Sequence, residues 1–304
     1  MIYQNFDKLI DLVQTKSGKK STVAVVAAED SHTLEAVIHA TKDGIVVPML
    51  IGNGQEIQKQ LTALNESPAD YIIIHTETVE DAALKAAELV RDGHANFIMK
   101  GLIPTNKLMR TLLSEAAGFR TGNLISHISF VQIPNYHKLI GITDVAINIS
   151  PDLQQKKGIV ENAVNVMKRM GFDTPKVAIL TASEEVSAKM PETVDAAELK
   201  KLNQEGSLQG CIIEGPMSYD LAISREAGEI KGMGSPVYGD VDLMVVPNIA
   251  AGNILLKALR YSAQARTAGF IIGGKVPIVL TSRAAEVDAK YLPLVLAACA
   301  TIID

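Results

Sequence analysis

The sequence predicts an α/β protein built from two domains of mostly parallel sheet with flanking helices. Three observations support this fold class. Short apolar runs alternate with helical patterns along the chain, which is typical of successive strand–helix–strand units. The predicted strands are uniformly apolar, as expected where helices cover both faces of a sheet. The length of 304 residues is enough for two domains of ordinary size.

The first half of the chain alternates between predicted strands and predicted helices. An amphipathic helix is expected within residues 1–20, where Phe6, Leu9 and Val13 share one face. The predicted strands that follow are 22–28, 45–51, 71–75 and 96–99. The predicted helices are 34–41, a segment that ends at Leu61, 79–91 and 106–115.

The second half repeats this alternation. Its predicted strands are 137–150, 176–181, 211–214, 242–246 and 277–281. Its predicted helices are 151–170, 194–203, 217–227, 250–262 and one that begins at about residue 288. Four glycines and Pro236 within residues 228–239 predict a loop. We place the boundary between the two blocks at 134–137 and expect the last helix to pack on the first domain. The predicted domains are therefore 1–136 plus about 285–304, and 137–284.

Composition argues against several classes of partner. The chain has 29 Lys and Arg against 34 Asp and Glu, no Trp and only 4% aromatic residues, so we expect no nucleic-acid partner. The longest nearly apolar run, 292–303, is much shorter than the roughly 20 residues of a membrane span. No signal-peptide pattern is present, and two cysteines do not make a disulfide framework, so we expect a cytoplasmic protein.

Several apparent motifs are weak when their surroundings are considered. Residues 269–275 (GFIIGGK) match the first part of a phosphate-binding loop, but Val276 stands where the magnesium-binding hydroxyl belongs. We interpret this segment as a tight turn between two apolar segments. The six histidines show no zinc-binding spacing, so no metal is expected. Cys211 and Cys299 are predicted to be core residues.

A hydroxyl and a guanidinium follow the last predicted strand. Ser282 and Arg283 occupy the turn after residues 277–281, and ligands of open α/β sheets gather at the carboxyl ends of strands. Arginine forms charge-assisted, forked hydrogen bonds to phosphate oxygens. The alternative is a surface arginine beside a capping serine.

Further candidate cations lie in other loops. Lys100 ends a predicted strand, and Thr105 or Asn106 is expected to cap the next helix, whose amino end would attract an anion. The alternative is an ordinary capped helix beside a solvated lysine. Arg120 and Lys231 lie in glycine-containing loops that either close over a ligand or are simply solvated.

Taken together, these segments resemble the phosphate acyltransferases, and most closely their phosphate butyryltransferase branch. The matching segments, in chain order, are 27–30 (AAED), 99–102 (MKGL) with 104–105, 143–144 and 148–151, 214–216 (EGP) with 220–222, 235–237 (SPV), 246–248 (VPN), 251–253 (AGN) and 282–283 (SR). The resemblance implies two α/β domains with an active cleft between them, an architecture similar to isocitrate and isopropylmalate dehydrogenases.

The resemblance also implies an activity. It implies transfer of a short acyl group, butyryl or similar, between coenzyme A and inorganic phosphate, with acyl-CoA and acyl phosphate as the acyl carriers. Coenzyme A would be a substrate, with no tightly bound cofactor and no metal. It further implies a homodimer or a higher homo-oligomer. There are three alternatives: acetyl specificity, a non-catalytic CoA- or phosphate-binding member of the fold, and a metal-dependent dehydrogenase. A dehydrogenase would need a dinucleotide-binding motif and clustered metal-binding aspartates, and this sequence shows neither.

The resemblance implies roles for individual residues. Arg283 is expected to contact the phosphoryl group, with Ser282 near the reacting carbonyl and Asn253 at coenzyme A. In the acetyl-specific relatives a downstream aspartate acts as the thiol base, but Ala289 stands at the matching position here and Asp288 is the nearest acid. A shift of one residue turns a helical side chain by about 100°. We nevertheless assign the base to Asp288.

Overall fold

The computed structural model describes residues 3–15, 20–232, 234–281 and 287–302. The chain divides into two compact units. We call Asp7–Asn123 with Ala268–Asp304 unit I, and Met1–Phe6 with Leu124–Thr267 unit II. The domain limits expected from the sequence stay a prediction.

Unit I is a mostly parallel sheet with helices. Its helices are α1 (Phe6–Thr15), α2 (Ser31–Lys42), α3 (Gly54–Ala63), α4 (Val79–Arg91), α5 (Thr105–Leu112) and α11 (Val287–Ile302). Its strands are β1 (Ser21–Val26), β2 (Val46–Gly52), β3 (Ile72–His75), β4 (Phe97–Lys100), β10 (Arg266–Ile272) and β11 (Ile278–Val279). The strand order is β3-β2-β1-β4-β11-β10, with β10 antiparallel to β11 and the other described pairs parallel.

Unit II repeats the arrangement. Its strands are β5 (Ser126–Gln132), β6 (Ile140–Thr143), β7 (Lys176–Leu180), β8 (Ile212–Met217) and β9 (Leu243–Val245). Its helices are α6 (Leu153–Arg169), α7 (Pro191–Gln204), α8 (Tyr219–Ile223), α9 (Arg225–Ile230) and α10 (Ile249–Ser262). The order is β5-β6-β9-β7-β8, and only β5 pairs antiparallel among the described strand pairs of this unit. The predicted fold class is therefore confirmed.

The apolar runs form the cores as the sequence indicates. In β1, residues 23–26 are fully buried between β2 and β4. Helix α2 begins after Asp30, whose carboxylate accepts a hydrogen bond from the Thr33 amide and so satisfies one free donor of the first turn. Both cysteines are buried, which confirms their prediction as core residues. Burial raises the pKa of Cys211 to about 11, so it is a neutral thiol at pH 7.

Two predicted elements of unit II are wrong. The strand expected over 137–150 is confined to β6, because the Asp144 carboxylate accepts hydrogen bonds from the amides of Ala146 and Ile147 and draws the backbone into a loop. The helix expected over 217–227 is interrupted. Met217 ends β8, and Ser224 separates α8 from α9 by capping the second helix.

Strands β5 and β10 were not expected from the sequence. Residues 269–272 of the apparent phosphate-binding loop lie in β10, and the turn begins only at Gly273, whose φ of 98° suits glycine. The tight turn was thus predicted correctly, but the segment before it is an extended strand. Within the described ranges, no helix combines the length and apolarity that crossing a bilayer requires.

Candidate active site

Three neighbouring strands of unit I end at the same edge of the sheet. Strand β4 lies between β1 and β11, with Lys100 in register with Val26 and Met99 in register with Val279. The chain that continues from β11 through buried Thr281 therefore leaves the sheet beside Lys100. Ser282 and Arg283 come next but lie outside the described residues, so their positions stay predictions.

Lys100 is buried, with only 5% of its surface exposed. Its Nζ atom donates a hydrogen bond to the Gly101 carbonyl oxygen at 3.2 Å. Because burying an ammonium group is costly unless its donors find acceptors, a solvated surface lysine is the wrong interpretation of this position. The structure therefore places a positive charge inside unit I at the end of β4.

Gly101 allows the loops after β1 and β4 to pack closely. Its amide donates to the Val26 carbonyl at 2.8 Å, and the amide of Leu102 donates to the Ala27 carbonyl at 2.7 Å. A Cβ atom on Gly101 would lie only 2.2 Å from the Ala27 carbonyl oxygen, so any side chain here would push the two loops apart. The edge next to Lys100 is therefore held by backbone contacts.

Thr105 does not cap helix α5. It is the first helical residue and is exposed, while Pro104 occupies the cap position without a side-chain cap hydrogen bond in the described part of the chain. Asn106 instead accepts from the neighbouring Lys107 amide. The expected capping role of Thr105 or Asn106 is wrong, because the fixed φ of Pro104 (−59°) sets the entry into the helix.

Glu29 is a polar residue at this edge of the sheet. Among the sequence motifs it appeared only as part of the matching segment 27–30, without a role of its own. Its Oε1 atom accepts from the Asn53 amide at 2.6 Å, and a Cβ atom on Gly52 would overlap its carboxylate. Its Oε2 atom is buried and has no hydrogen-bond partner among the residues described. A buried acceptor of this kind suits a donor group supplied by a ligand.

The neighbouring Asp30 joins α2 to the last helix of unit I. Lys290 on α11 is 1% exposed at its side chain and donates to Asp30 at 3.1 Å. Burial acts to raise the pKa of Asp30, but the hydrogen bonds from Thr33 and Lys290 outweigh it and lower that pKa. Asp288 lies two residues earlier on α11, and its side chain is outside the described residues.

Arg120 lies in a segment that is joined to the turn after β10. Its backbone forms an isolated antiparallel bridge with Gly274, and Thr121 Oγ1 donates to the Gly273 carbonyl at 2.7 Å. The Arg120 side chain itself is exposed. The structure thus holds the backbone on both sides of this arginine and leaves the guanidinium at the surface of unit I.

Lys231 of unit II is already paired with two carboxylates. Its Nζ lies 2.7 Å from Glu184 and 3.2 Å from Asp220, and Ser218 donates to the same two carboxylates. The hydrogen bonds that Lys231 donates to Glu184 and Asp220 raise the pKa of Lys231. This cluster carries one more negative than positive charge, so its field does not favour phosphate.

The loop after β6 is shaped by a single buried carboxylate. Besides the amides of Ala146 and Ile147, Asp144 accepts from the Asn148 amide at 3.2 Å and its side-chain nitrogen at 2.6 Å. On α10, Asn253 donates to the Val145 carbonyl at 3.4 Å, so its amide helps hold this loop. Asn253 is therefore next to the Asp144 loop within unit II.

His127 on β5 is a buried titratable group that the sequence did not single out. Its Nδ1 atom is shielded from solvent and has no hydrogen-bond partner in the described ranges, although the residue is partly exposed. Burial lowers the pKa of His127 to about 4, and the nearby Asp144 charge acts in the opposite direction. The imidazole is therefore neutral at pH 7.

We expect His127 to make unfolding depend on pH. The unfolded chain binds a proton near pH 6.5, whereas the folded ring does so only near pH 4. Stability should therefore fall on acidification between these values, by at most about 1.4 kcal/mol per pH unit. Urea unfolding of the wild type and of His127→Asn at pH 7, 6 and 5 measures this difference. Equal pH slopes in the two proteins would contradict the assignment.

No described group of three or more His, Cys, Asp or Glu residues is arranged to hold a metal ion. The predicted site residues fall into two sets, each described within its own unit. Lys100, Thr105 and Arg120 belong to unit I, as do Ser282, Arg283 and Asp288 by position in the chain, whereas Lys231 and Asn253 belong to unit II.

Comparison with known proteins places the chain in one family. The family model described as "Phosphate acetyl/butaryl transferase" matches residues 70–298. The chain is 39% identical to the phosphate butyryltransferase of Clostridium acetobutylicum over 97% of both chains. It is 42% identical to the phosphate acetyltransferase of Thermotoga maritima over 94% of this chain and 97% of that protein.

A solved structure agrees with these matches. The branched-chain phosphotransacylase from Enterococcus faecalis V583 superimposes with a TM-score of 0.83 at 32% identity, covering 93% of this chain and all of that one. The chain is therefore a transferase that belongs to the phosphate acetyl/butyryl transferase family.

Proposed function

We propose that this enzyme interconverts butyryl-CoA plus inorganic phosphate with butyryl phosphate plus coenzyme A. The observation that carries the proposal is the buried Lys100 at the end of β4, because β4 pairs with β11, the strand that precedes Ser282 and Arg283 in the chain. A fixed positive charge at the carboxyl end of a parallel sheet suits a phosphorylated substrate. The names of the relatives support acyl transfer to phosphate.

The chemistry requires a thiolate nucleophile and a stabilised phosphate leaving group. In the direction of acyl-CoA formation, the coenzyme A sulfur attacks the carbonyl carbon of the acyl phosphate, the bond from carbon to the phosphate oxygen breaks, and inorganic phosphate leaves. A free thiol has a pKa of about 8.5, so only a few per cent is ionised at pH 7. We assign removal of the thiol proton to Asp288. The transfer occurs in a ternary complex without an acyl-enzyme.

The remaining residues bind and orient the substrates. We assign the phosphoryl oxygens to Arg283 and Lys100, and the carbonyl oxygen, as negative charge develops on it, to Ser282. Arg120 and the Thr105 end of α5 assist phosphate binding. Asn253 binds coenzyme A.

Among the proposed phosphate ligands, Lys231 is the one that the structure supports least. Two carboxylates already compensate its charge, so any contact with phosphate requires it to exchange them. We therefore rank Lys231 below Lys100 and Arg283 as a phosphate ligand.

The proposal extends to the state of the protein in the cell. Coenzyme A acts as a substrate, and the reaction needs neither a tightly bound cofactor nor a metal ion. The enzyme works as a cytoplasmic homo-oligomer, at least a dimer, on acyl-CoA, inorganic phosphate and acyl phosphate.

Thiol release from a series of acyl-CoAs with phosphate tests the function directly. We expect turnover with butyryl-CoA, recorded by a thiol reagent, and none without phosphate. A preference for acetyl-CoA would instead support the phosphate acetyltransferase alternative, which the Thermotoga maritima relative favours. Two extra methylenes in an apolar pocket contribute about 0.8 kcal/mol each, so selectivity of about tenfold is the expected scale. Coenzyme A binding without any turnover would contradict an enzymatic role.

The thiol base is tested by a separate variant. Replacing Asp288 by Asn keeps the size of the side chain but removes the proton acceptor. In the direction of acyl-CoA formation, we expect a lower kcat and loss of the acidic limb of the pH–rate profile, because an acid limb reports ionisation of the general base. Glu286→Gln, which neutralises another acid two residues earlier in the chain, serves as the control. An unchanged pH profile in Asp288→Asn would assign the base to another residue.

A further inference from the structure

A cavity of about 300 Å³ lies at the carboxyl end of the unit II sheet. Its wall includes residues that follow three neighbouring parallel strands: Thr181 after β7, Tyr219 after β8 and Val246 after β9. Ala251 and Leu255, about one turn apart on α10, also line it. Because ligands of open α/β sheets bind at the carboxyl ends of strands, this cavity has the position of a substrate pocket.

The lining of this cavity is mostly apolar. Leu180, Ala182 and Pro247 add further apolar surface. The Thr181 hydroxyl already donates to the Ser183 carbonyl at 2.7 Å, so it offers no free donor to a ligand. No lysine or arginine stands among the described lining residues. The cavity therefore suits an uncharged carbon chain rather than a phosphate.

The cavity shares part of its wall with the surroundings of Asn253. A Cβ atom on Gly252 would lie 2.7 Å from Val246 Cγ2 and 2.9 Å from the Asp144 carbonyl oxygen, so the amino end of α10 packs directly on both. Asn253, which we assign to coenzyme A, donates to the Val145 carbonyl in the same loop. The cavity and the residue proposed for coenzyme A are therefore built on the same helix end of unit II.

We propose that this cavity binds the carbon chain of the acyl group, and that Ala251 and Leu255 set the preferred chain length. This inference rests on the proposed acyl transfer. The phosphoryl group is anionic and the pantetheine arm carries amides, so the acyl chain is the part of the substrates that an apolar cavity binds best. A carbon with its hydrogens needs about as much room as a water molecule, about 30 Å³, so the three carbons beyond a butyryl carbonyl fit with room to spare.

Glu192 makes the cavity selective for uncharged chains. It lies in the first turn of α7, and it belongs to the lining. Burial raises the pKa of Tyr219, so its phenol stays neutral and adds no charge. A chain that ended in a carboxylate would bring a second negative charge into a cavity of low dielectric constant. We therefore expect acyl groups with a free carboxylate, such as succinyl, to be excluded.

Calorimetry with non-reactive thioethers tests the pocket without relying on turnover. The wild type should bind S-butyl-CoA about tenfold more tightly than S-ethyl-CoA, because the longer chain buries two more methylenes. Ala251→Phe fills the cavity, so it should abolish this preference and leave the affinity for free coenzyme A unchanged. Leu255→Ala enlarges the cavity and should shift the preference towards S-hexyl-CoA. Ala258→Phe, at an exposed position of the same helix outside the lining, is the matched control and should keep the tenfold preference.

The outcomes of this experiment separate the pocket from the reaction. Equal binding of S-butyl-CoA and S-ethyl-CoA by the wild type, or no binding of either, overturns the proposal. An equal loss of affinity for both thioethers and for free coenzyme A in Ala251→Phe also overturns it, because the cavity would then hold the pantetheine arm. If the expected preference is found but no acyl-CoA is turned over with phosphate, the proposed function fails and the chain-binding pocket stands.

A further ligand tests the role of Glu192. S-(3-carboxypropyl)-CoA replaces the terminal methyl group of the butyl chain by a carboxylate, and the wild type should bind it more weakly than S-butyl-CoA by about tenfold or more. Glu192→Gln should recover part of this loss. Glu198→Gln, on the same helix but outside the lining, should recover none. An equal preference in the two variants would contradict the role of Glu192.

Discussion

Replacing Arg283 by alanine is expected to lower kcat for thiol release by a hundredfold or more. Loss of one preorganised donor to a developing negative charge costs about 10²–10³ in kcat in other enzymes. The proposed role of Arg283 is of this kind, because negative charge develops on the phosphate as the bond between the carbonyl carbon and the phosphate oxygen breaks. Lys100 supplies a second positive charge at the same sheet edge, so residual activity should remain.

The Arg283 variant needs controls that separate chemistry from folding. Arg169→Ala removes an exposed arginine of unit II and should leave kcat unchanged. Arg283→Lys keeps the charge but loses the fork of donors, so we expect intermediate activity. Added guanidinium should partly rescue Arg283→Ala if an empty charge site is the cause. Near-normal turnover of a folded Arg283→Ala would remove this residue from the site.

Periodicity predicted the parallel parts of the fold and missed the antiparallel strands. A strand followed by a crossover helix gives two signals in sequence, an apolar run and an amphipathic pattern, and β1, β2 and β4 all have both. Strands β5 and β10 each pair antiparallel with the strand that follows, through a connection without a helix. Because no helix follows either strand, the alternation of apolar runs and helical patterns did not indicate that β5 and β10 are separate strands.

The burial of Lys100 was predictable in part, whereas the pairing of Lys231 was not. Lys100 continues the apolar run of β4, and a parallel strand buries residues on both faces, which argues against a solvated lysine. Lys231 pairs with Glu184, which is 47 residues away in sequence, and no local pattern reports such a contact. The Glu29 and His127 atoms that have no hydrogen-bond partner among the described residues likewise depend on packing that only the folded structure defines.

A second large effect is expected where three strands of unit II begin. Lys138 lies just before β6, Lys176 begins β7 and Asp242 lies just before β9. The Lys138 Nζ atom is 2.8 Å from Asp240 and 2.6 Å from Asp242, and its side chain is 1% exposed. This cluster, in which Lys138 and Asp242 are buried and Asp240 and Lys176 are partly exposed, joins neighbouring strands at the edge opposite their carboxyl ends.

Replacing Lys138 by methionine should therefore lower the free energy of unfolding by about 3–5 kcal/mol. The new side chain is similar in length, so the loss comes from the carboxylates left behind rather than from a cavity. Urea unfolding at pH 7 measures the change. Lys189→Met, at an exposed position in unit II, should stay within about 0.5 kcal/mol of the wild type. An equal effect of the two substitutions would contradict a buried ion cluster.

The pH dependence of this difference identifies its cause. Burial acts to raise the pKa of Asp240, but hydrogen bonds from Lys138, Lys176 and His137 outweigh it and hold that pKa well below 3.8. The stabilisation is therefore present above the ordinary carboxyl pKa and lost as pH falls below it. The wild type should lose this stabilisation progressively as pH falls from about 4 through the lowered pKa of Asp240, whereas Lys138→Met has already lost the part that Lys138 supplies. The difference between the two stabilities should therefore begin to shrink below about pH 4. Lys138→Met with Asp242→Asn should recover part of the loss at pH 7, because the amide can still accept from the Lys176 backbone without a buried charge.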